Sequence, residues 1–370
     1  MIAHRKILAI KLRALGDTVL MTAPLLELHR AFPQSQTDIL IPENWAALFE
    51  GFPGVSRIWT LPTETKGLSR LMQYSSISLR LRQEKYDSVV NFHASPSSAK
   101  LARTTGAKTR AIHFHGHQDP NQYSTLTIPG KGILKPIIER DMDTLRAMGL
   151  HIPAGRLPEI FLQPIEKEEA AQFIEKLNLP KPLLGLSLGS GRPTKSWPME
   201  RFTSLAVEWI KKEKGGVLAI AGPSEEDLIH KFLHSIDDLL SITVPVQSER
   251  AFIRNRIGTT HQLPLKKLAA VLSQLSVLAS NDSGPRHLAV ATHTPTVTLF
   301  GPEDPYEWHP YPAQKHPYLF VKDLACRKSA APGMPPWCGI SVCVTEEHRC
   351  MRLIGVDPVL EACRSVASNR

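Results

Sequence analysis

The stretch SNDSGPRHLAVATHTPTVTLFGP, residues 280–302, decides the fold that we predict for this chain. The apolar run 275–279 before it predicts a buried parallel strand, residues 287–291 predict a short helix, and Thr296–Phe300 predicts the next strand. A polar loop between the carboxyl end of a strand and the start of a helix is where open α/β sheets bind phosphate-bearing ligands. The sequence therefore predicts a phosphate-binding α/β domain around residues 281–285.

This loop has the chemistry to hold a nucleotide. Asp282 can accept a hydrogen bond from a ribose hydroxyl, and Ser283 and the backbone amide of Gly284 can meet a phosphate. The alternative is that Asp-Ser-Gly only caps the following helix. We favour nucleotide binding because two further loops of similar chemistry occur in the chain.

Strands and helices alternate along the chain. In the first half we predict strands over residues 6–12, 37–41, 55–60, 88–92 and 109–112, and helices over 18–31, 67–83, 97–105 and 139–148. After the proline-containing segment 151–164 we predict helices over 166–178, 199–212, 226–234 and 264–275, and strands over 183–188 and 216–221. This alternation predicts an α/β fold of two Rossmann-like domains, residues 1–160 and 161–370, facing a cleft between them.

Composition and charge indicate a soluble protein with an anionic partner. The 370 residues carry a net charge of +9, and residues 1–165 hold 20 Lys and Arg against 13 Asp and Glu. Such an excess indicates a phosphorylated substrate, an acidic membrane face or a nucleic acid, or simply a solvated basic surface. With 6% aromatic residues and no recognisable motif, we expect no nucleic-acid partner. No apolar run approaches the roughly 20 residues of a membrane span, and the N-terminus does not resemble a signal peptide, so we expect a cytoplasmic protein.

A first loop, RALGDT at residues 13–18, follows the first predicted strand. Gly16 permits a tight turn, and Asp17 stands at a helix start, where a carboxylate facing the cleft could deprotonate an acceptor hydroxyl. The alternative is that Asp17 is a simple helix cap. The loop lacks the GxGxxG pattern of dinucleotide folds, which argues against an NAD or FAD enzyme.

A second loop, GSGRPTKSWP at residues 189–198, follows another predicted strand. Ser190 and Gly191 lie where backbone amides can approach a phosphate, Thr194 can donate a hydrogen bond, and Lys195 can neutralise a diphosphate. The ending of an ATPase P-loop is missing. The alternative is a flexible basic loop without a ligand.

Metal sites are weakly indicated. The five cysteines stand at positions 326, 338, 343, 350 and 363, with spacings unlike those of common zinc sites. We expect reduced thiols, and leave open a structural metal held by Cys326, Cys338, Cys343 and Cys350. The alternating triplet of His113, His115 and His117 is expected in a solvent-exposed loop rather than at a metal.

The three loops together resemble glycosyltransferase family 9, the ADP-heptose:lipopolysaccharide heptosyltransferases. The matching pieces are LGD at residues 15–17, KSWPMERF at 195–202, DSGPRHL at 282–288 and TPTVTLFGP at 294–302. The resemblance implies a GT-B fold, with the acceptor on the N-terminal domain and an ADP-sugar donor on the C-terminal one. It also implies inverting transfer with no metal and no cofactor.

The resemblance assigns roles to individual residues. Asp17 falls on the general base, and Lys195, with Thr194 beside it, on the donor-phosphate contact. The nucleotide-binding loop receives Asp282, Ser283, Gly284 and His287. Three positions depart from the family pattern: Ser283 replaces the commoner threonine, His293 replaces a common glycine, and Arg286 replaces a smaller or apolar residue. Arg286 is expected either to contact phosphate or to face solvent.

We therefore predict an inverting transferase that moves a heptose, or a similar sugar, from ADP-heptose to a lipopolysaccharide core-type acceptor. We expect a monomer that is peripheral on the inner face of the cytoplasmic membrane, and assign acceptor binding to Arg13, Arg57, Lys66 and Arg70. The alternatives are a nucleotide-sugar epimerase of related fold, which would need no acceptor, and a non-catalytic nucleotide-sugar-binding protein.

Overall fold

The computed structural model of the protein describes residues 5–63, 67–93, 95–113, 123–128, 135–327, 342–343, 345 and 347–368. The chain divides into two compact units, Met1–Phe161 and Leu162–Arg370. Each unit contains one parallel sheet with helices between its strands, so the predicted α/β architecture is confirmed. Among the described helices, none has the length and apolarity to cross a bilayer.

The first unit is built on a five-stranded sheet with the order β3-β2-β1-β4-β5. Its parallel strands are β1 (Lys6–Ile10), β2 (Gln36–Pro42), β3 (Val55–Leu61), β4 (Ser88–Asn91) and β5 (Thr109–Ile112). Its α-helices are α1 (Leu15–Leu20), α2 (Thr22–Ala31), α3 (Gly67–Gln83), α4 (Pro96–Thr104) and α5 (Ile137–Ala147). The strand order reverses between β1 and β4, and such a switch point opens a crevice at the carboxyl ends of the strands. The loop that leads to Asp17 starts there.

The second unit has a six-stranded parallel sheet with the order β11-β10-β9-β6-β7-β8. Its strands are β6 (Leu183–Ser187), β7 (Gly216–Ile220), β8 (Ile257–Thr260), β9 (Val277–Asn281), β10 (Thr296–Phe300) and β11 (Tyr318–Phe320). Its α-helices are α6 (Pro164–Lys176), α7 (Met199–Glu213), α8 (Glu226–Thr243), α9 (Gln247–Arg254), α10 (Leu265–Leu272), α11 (Gly284–Ala291), α12 (Pro305–Trp308), α13 (Arg349–Arg352) and α14 (Val356–Ala367). The switch point lies between β6 and β9, so the loops 189–198 and 282–284 share one edge.

Apolar side chains on the central strands form the core of each unit. β6 and β9 are buried along their whole length, as expected of parallel strands covered on both faces. Phe202 of α7 and Leu360 of α14 pack into this second core. The first core is built in the same way around Leu8 and Val89.

Several predicted boundaries need correction. The helix predicted over 18–31 is two helices, because Pro24 has no N–H to donate to the carbonyl of Leu20 and the helical ladder is interrupted there. The strand predicted over 275–279 starts at Val277, because the N–H of Leu275 still bonds to Leu272 in the turn that ends α10. α8 runs to Thr243, beyond the predicted end at residue 234. The sequence interpretation did not include β8, β11, α9 or α14.

A buried ionic cluster closes the carboxyl edge of the first sheet. Lys11 follows β1, His113 follows β5, and Asp141 lies on α5; all three are at most 3% exposed. Asp141 accepts from Nζ of Lys11 at 2.7 Å through Oδ2, and its Oδ1 lies 2.8 Å from Nδ1 of His113. Burial opposes ionisation of Asp141, but Lys11 and His113 together outweigh it and lower the pKa of Asp141. Burial lowers the pKa of His113. The expected exposure of His113 is therefore wrong, while His115 and His117 lie outside the described residues.

Substitution of the shared carboxylate tests this cluster. Asp141→Asn should lower the free energy of unfolding of the first unit by about 3–5 kcal/mol, because the ammonium of Lys11 stays buried without a counter-charge. Urea denaturation, read by hydrogen exchange of β1 and β4 amides, measures the change. Glu43→Gln, at an exposed position of the same unit, is the matched control. Equal stability of the two variants would contradict the role given to Asp141.

Candidate active site

The side chain of Asn281 joins the two loops at the switch point of the second unit. Asn281 ends β9 and is fully buried. Its Oδ1 accepts from the backbone N–H of Trp197 at 2.9 Å, and its Nδ2 donates to the carbonyl of Leu188 at 3.0 Å. These bonds fix both ends of loop 189–198 beside Asp282. Sequence reasoning missed this role, although an amide at the end of an apolar strand was a usable signal.

Lys195 and Asp282 are in direct contact. Lys195 lies on the short 3₁₀ turn Pro193–Lys195, and its Nζ is 2.6 Å from Oδ2 of Asp282. Glu303, which sequence reasoning also missed, places Oε1 3.5 Å from the same ammonium and forms an ion pair with Arg192. The structure thus brings together the two charged residues predicted from separate loops.

Arg286 holds Asp282 from the opposite side. Its Nη2 and Nε lie 2.6 and 3.1 Å from Oδ1 of Asp282, and Nη2 also donates to the carbonyl of Trp308 at 2.9 Å. The guanidinium lies 5.1 Å from the ring centroid of Phe300 and is fully buried. Arg286 therefore does not face solvent, and that expectation was wrong. Its contact with a phosphate stays a prediction. The spacing of four residues to Asp282 was the signal for this pair.

Burial and neighbouring charges shift the pKa values of Asp282 and Lys195. Burial opposes ionisation of Asp282, but Arg286 and Lys195 outweigh it and hold its pKa far below the usual range. Burial lowers the pKa of Lys195, and Asp282 only partly restores it. With Arg192 and Glu303, the cluster has three cations and two carboxylates. An anion approaching it meets an excess of positive charge.

Neutral imidazoles form a layer behind Asp282. His287 of α11 is buried and shares a hydrogen bond through Nδ1 with the hydroxyl of Tyr311. His309 bonds through Nε2 to the carbonyl of His316 at 2.6 Å, and its Nδ1 lies 3.3 Å from Nη1 of Arg286. Burial lowers the pKa of His287 well below its usual value, that of His309 to about 3 and that of His316 to about 4.

The remaining residues predicted to bind the donor lie in loop 189–198 and at the start of α11. Ser190 donates to the carbonyl of Arg192 at 2.7 Å and so shapes its own loop, while Gly191 is exposed. Thr194 is buried. Ser283 is the N-cap of α11 and Gly284 its first residue, and the Ser283 side chain makes no capping hydrogen bond. The segment thus caps α11 by the position of Ser283, without a side-chain capping bond, and the binding of a nucleotide by it stays a prediction.

A close approach explains Gly189 and identifies a further carboxylate. A Cβ on Gly189 would lie 2.1 Å from Oε2 of Glu225, so only glycine fits there without a shift. Glu225 accepts from the backbone N–H of Gly222 at 2.7 Å. Sequence reasoning missed this residue because nothing in the local pattern relates the turn after β7 to the loop after β6.

Asp17 is the third residue of α1 in the first unit. Ala14 is the N-cap, without a side-chain capping bond, so the alternative that Asp17 caps the helix is wrong. Nη1 of Arg13 lies 3.8 Å from Oδ1 of Asp17. That oxygen is buried and accepts no hydrogen bond within the residues that the structure describes. Oδ1 of Asp17 therefore accepts no hydrogen bond that would stabilise the described part of the fold.

The residues predicted to bind the acceptor are only partly brought together. Arg13 lies beside Asp17, and Nε1 of Trp45 donates to its carbonyl at 3.1 Å. Arg57 instead pairs with Glu84 at 2.6 Å, and the guanidinium of Arg70 lies 5.6 Å from the ring centroid of Tyr74. In the described part of the chain, no ion pair joins Arg57 or Arg70 to Asp17. Lys66 lies outside the described residues.

Four of the five cysteines lie in the described part of the chain. These are Cys326, Cys343, Cys350 and Cys363, of which Cys363 is buried in the second core. Cys338 lies outside the described residues. Among those that are described, no group of three His, Cys, Asp or Glu side chains is placed to hold a metal ion.

Removal of the buried cation tests the Asp282 cluster. Arg286→Met should lower the free energy of unfolding of the second unit by about 3–5 kcal/mol at neutral pH. The pKa of Asp282 is lowered in the folded protein, so its stabilising effect is present above the unfolded value of about 3.9 and is lost as the pH falls towards the folded value. The difference between wild type and variant should therefore shrink below about pH 4.

Urea denaturation at several pH values measures this difference. Arg254→Met, at an exposed pair with Asp237, is the control, because exposed ion pairs contribute little to stability. A loss for Arg286→Met that is independent of pH, or no larger than that of the control, would contradict the cluster.

Comparison with known proteins places this site in a family. The family model of glycosyltransferase family 9 (heptosyltransferase) matches residues 75–329, well over half of the chain. This range includes Lys195 and Asp282 but begins after Asp17. Lipooligosaccharide heptosyltransferase 2 of Haemophilus ducreyi is 27% identical over 316 residues, which are 81% of this chain and 84% of that protein.

Two solved structures share the fold. The glycosyl transferase family 9 protein of Veillonella parvula DSM 2008 has a TM-score of 0.74 at 20% identity, covering 99% of this chain and 98% of that one. The ADP-heptose lps heptosyltransferase II of E. coli has a TM-score of 0.73 at 19% identity, covering 98% and 99%. The GT-B fold is thereby confirmed, and the family match shows that this chain belongs to glycosyltransferase family 9, the heptosyltransferases.

Proposed function

We propose that this glycosyltransferase moves a heptose, or a similar sugar, from ADP-heptose to a lipopolysaccharide core-type acceptor with inversion at the anomeric carbon. Its relatives are named for heptosyl transfer, and one is named for ADP-heptose. Family membership argues against the epimerase alternative. The observation that carries the proposal is the contact between Lys195 and Asp282 at the switch point of the second sheet.

The donor binds where loop 189–198 meets the start of α11. Oδ2 of Asp282 is occupied by Lys195, and Oδ1 by Arg286. A diphosphate carries more negative charge than one carboxylate, so it draws Lys195 towards itself. Oδ2 then becomes available to a ribose hydroxyl, while Arg286 keeps Asp282 ionised. Backbone amides near Gly191 and Gly284 supply further donors to the phosphates.

Asp17 acts as the general base in the first unit. Its oxygen takes the proton of the acceptor hydroxyl while that hydroxyl oxygen attacks the anomeric carbon. The new carbon–oxygen bond forms on one face of the sugar as the bond to the ADP oxygen breaks on the other, which inverts the centre. Arg13, next to Asp17, orients an anionic acceptor. The uncommitted Oδ1 of Asp17 supports this role.

Groups of the protein stabilise the negative charge of the departing ADP. Lys195 and the loop amides stabilise the negative charge that grows on the diphosphate, and the excess of cations around Asp282 serves the same end. The proposed mechanism therefore requires no divalent cation. We further propose that the enzyme acts as a monomer at the inner face of the cytoplasmic membrane, where a lipopolysaccharide-type acceptor is anchored.

Substitution of the base tests the acceptor half of the mechanism. Asp17→Asn should lower kcat by about 10²–10⁴-fold, because no group then removes the hydroxyl proton. Affinity for ADP should stay nearly unchanged, since Asp17 is not among the donor contacts. Acceptor-dependent ADP release and calorimetry measure the two quantities, with Glu43→Gln as control. A wild-type kcat in the Asp17→Asn variant would contradict the role of Asp17 as the general base.

Substitution of the phosphate contact tests the donor half. Lys195→Ala should weaken ADP binding and slow transfer together, with a loss of about 2.7–4 kcal/mol in transition-state stabilisation. Steady-state kinetics and calorimetry measure both effects. Lys231→Ala, on an exposed position of α8, is the matched control. Equal ADP affinity in the Lys195 variant and wild type would contradict the placement of the diphosphate.

A further inference from the structure

Helix α3 presents an apolar stripe to solvent. Four of its large side chains are 60–67% exposed: Leu68, Leu71, Met72 and Leu79. Among the described residues, four of thirteen exposed large hydrophobic side chains thus lie on this one helix. Their spacing of three, four and eleven residues from Leu68 places them on one face. The clustering distinguishes α3 from ordinary surfaces, where apolar side chains occur singly.

The opposite face of α3 packs against the core of the first unit, and this packing holds the helix in place. Ile77 and Leu81 are 5% and 0% exposed and belong to the core of the first unit. A helix that only covers a core needs one apolar stripe and carries polar residues elsewhere. The exposed stripe of α3 is therefore not required by the fold of its own unit.

The charge around the stripe is of one sign. α3 contains Arg70, Arg80 and Arg82 and no carboxylate. Glu84, the first acid after the helix, is engaged by Arg57 and Lys6. At about 100° per residue, Arg82 lies beside Leu71 on the stripe, whereas Arg70 lies on the opposite face of the helix. The guanidinium of Arg80 lies 4.8 Å from the ring centroid of Trp59. An apolar stripe with one arginine on it and no carboxylate on its helix matches a surface that is apolar below and anionic on top, as a membrane containing acidic phospholipids is.

We propose that this exposed face of α3 docks the protein on an anionic phospholipid membrane. Leu68, Leu71, Met72 and Leu79 enter the boundary between headgroups and acyl chains, and Arg82 meets lipid phosphates. The stripe extends for about 16 Å along the helix axis, so α3 lies in the plane of the membrane. The inference rests on the proposed function, which gives the enzyme a membrane-anchored acceptor.

Charge argues against a second copy of this chain as the occupant. A symmetric contact between two α3 helices through this stripe would bring the two copies of Arg82 together without a carboxylate from either helix to offset them. Acidic lipid offsets that charge and accepts the apolar side chains as well. The membrane is thus the one occupant that satisfies both features of the face.

Vesicle flotation of the full chain tests the proposal. The wild type should float with phosphatidylcholine vesicles that contain about one third phosphatidylglycerol, bind pure phosphatidylcholine weakly, and lose binding as salt rises. A variant with Leu68→Gln, Leu71→Gln, Met72→Gln and Leu79→Gln should lose at least about tenfold in vesicle partitioning. Because these side chains are mostly exposed, its thermal unfolding should match that of the wild type.

A matched control changes four exposed hydrophobic residues outside α3. Ile165→Gln, Ile242→Gln, Val246→Gln and Leu353→Gln replace side chains that are 52–82% exposed. This control should bind vesicles as the wild type does. Equal losses in both quadruple variants, or wild-type binding by the α3 variant, would overturn the proposal. So would a wild-type dimer in sedimentation that the α3 variant turns into a monomer.

Transfer assays distinguish a failure of the docking proposal from a failure of the proposed function. The α3 variant should transfer sugar to a soluble, lipid-free acceptor at the wild-type rate and lose activity on the same acceptor embedded in vesicles. Equal activity of variant and wild type on embedded acceptor would overturn the docking role. A wild type that binds vesicles through α3 but transfers no sugar to either acceptor would contradict the proposed function and support the docking surface.

Discussion

The carboxylate of Asp282, buried between two cations, is the interaction on which the second unit depends. A buried carboxylate is tolerated only when it is paired, and Arg286 and Lys195 supply the pairing from different segments. Arg286 is itself fixed by the carbonyl of Trp308 and the ring of Phe300. One anion therefore ties together α11, the loop after β6 and the segment after β10. The departure from the family pattern at Arg286 is a structural support for the donor loop.

The first unit also has a buried carboxylate paired with a cation near its switch point. Lys11 is the first residue after β1, and its ion pair with Asp141 holds the point from which the loop to Asp17 departs. Both units thus place a lysine after a central strand and a buried carboxylate opposite it. The difference lies in the second partner, a neutral imidazole in the first unit and a guanidinium in the second. Counted over Asp282, Lys195 and Arg286 alone, the second arrangement has two cations for one carboxylate.

The alternating apolar runs and the polar loops between them were sufficient to predict the α/β fold, and the structure brings Lys195 and Asp282 of two of these loops together. The contacts of Glu225 and Glu303 were not predictable, because each depends on a partner from a distant part of the chain. For Asn281 the one signal was an amide at the end of an apolar strand, and it was missed. Arg286 and His113 were misjudged because a polar residue was assumed to seek solvent or a ligand. At His293 the structure gives the reason for the usual glycine: φ is 63°, in the left-handed region that favours glycine.

The layer of neutral imidazoles has a consequence for acid tolerance. Burial keeps the pKa of His309 at about 3 and that of His316 at about 4, and it holds the pKa of His287 well below its usual value. This layer therefore stays neutral when the pH falls mildly below 7. The pKa of Asp282 lies far below its usual range, so its carboxylate stays ionised over the same interval. A response of the enzyme to mild acid would thus come from groups other than Asp282 and these three imidazoles.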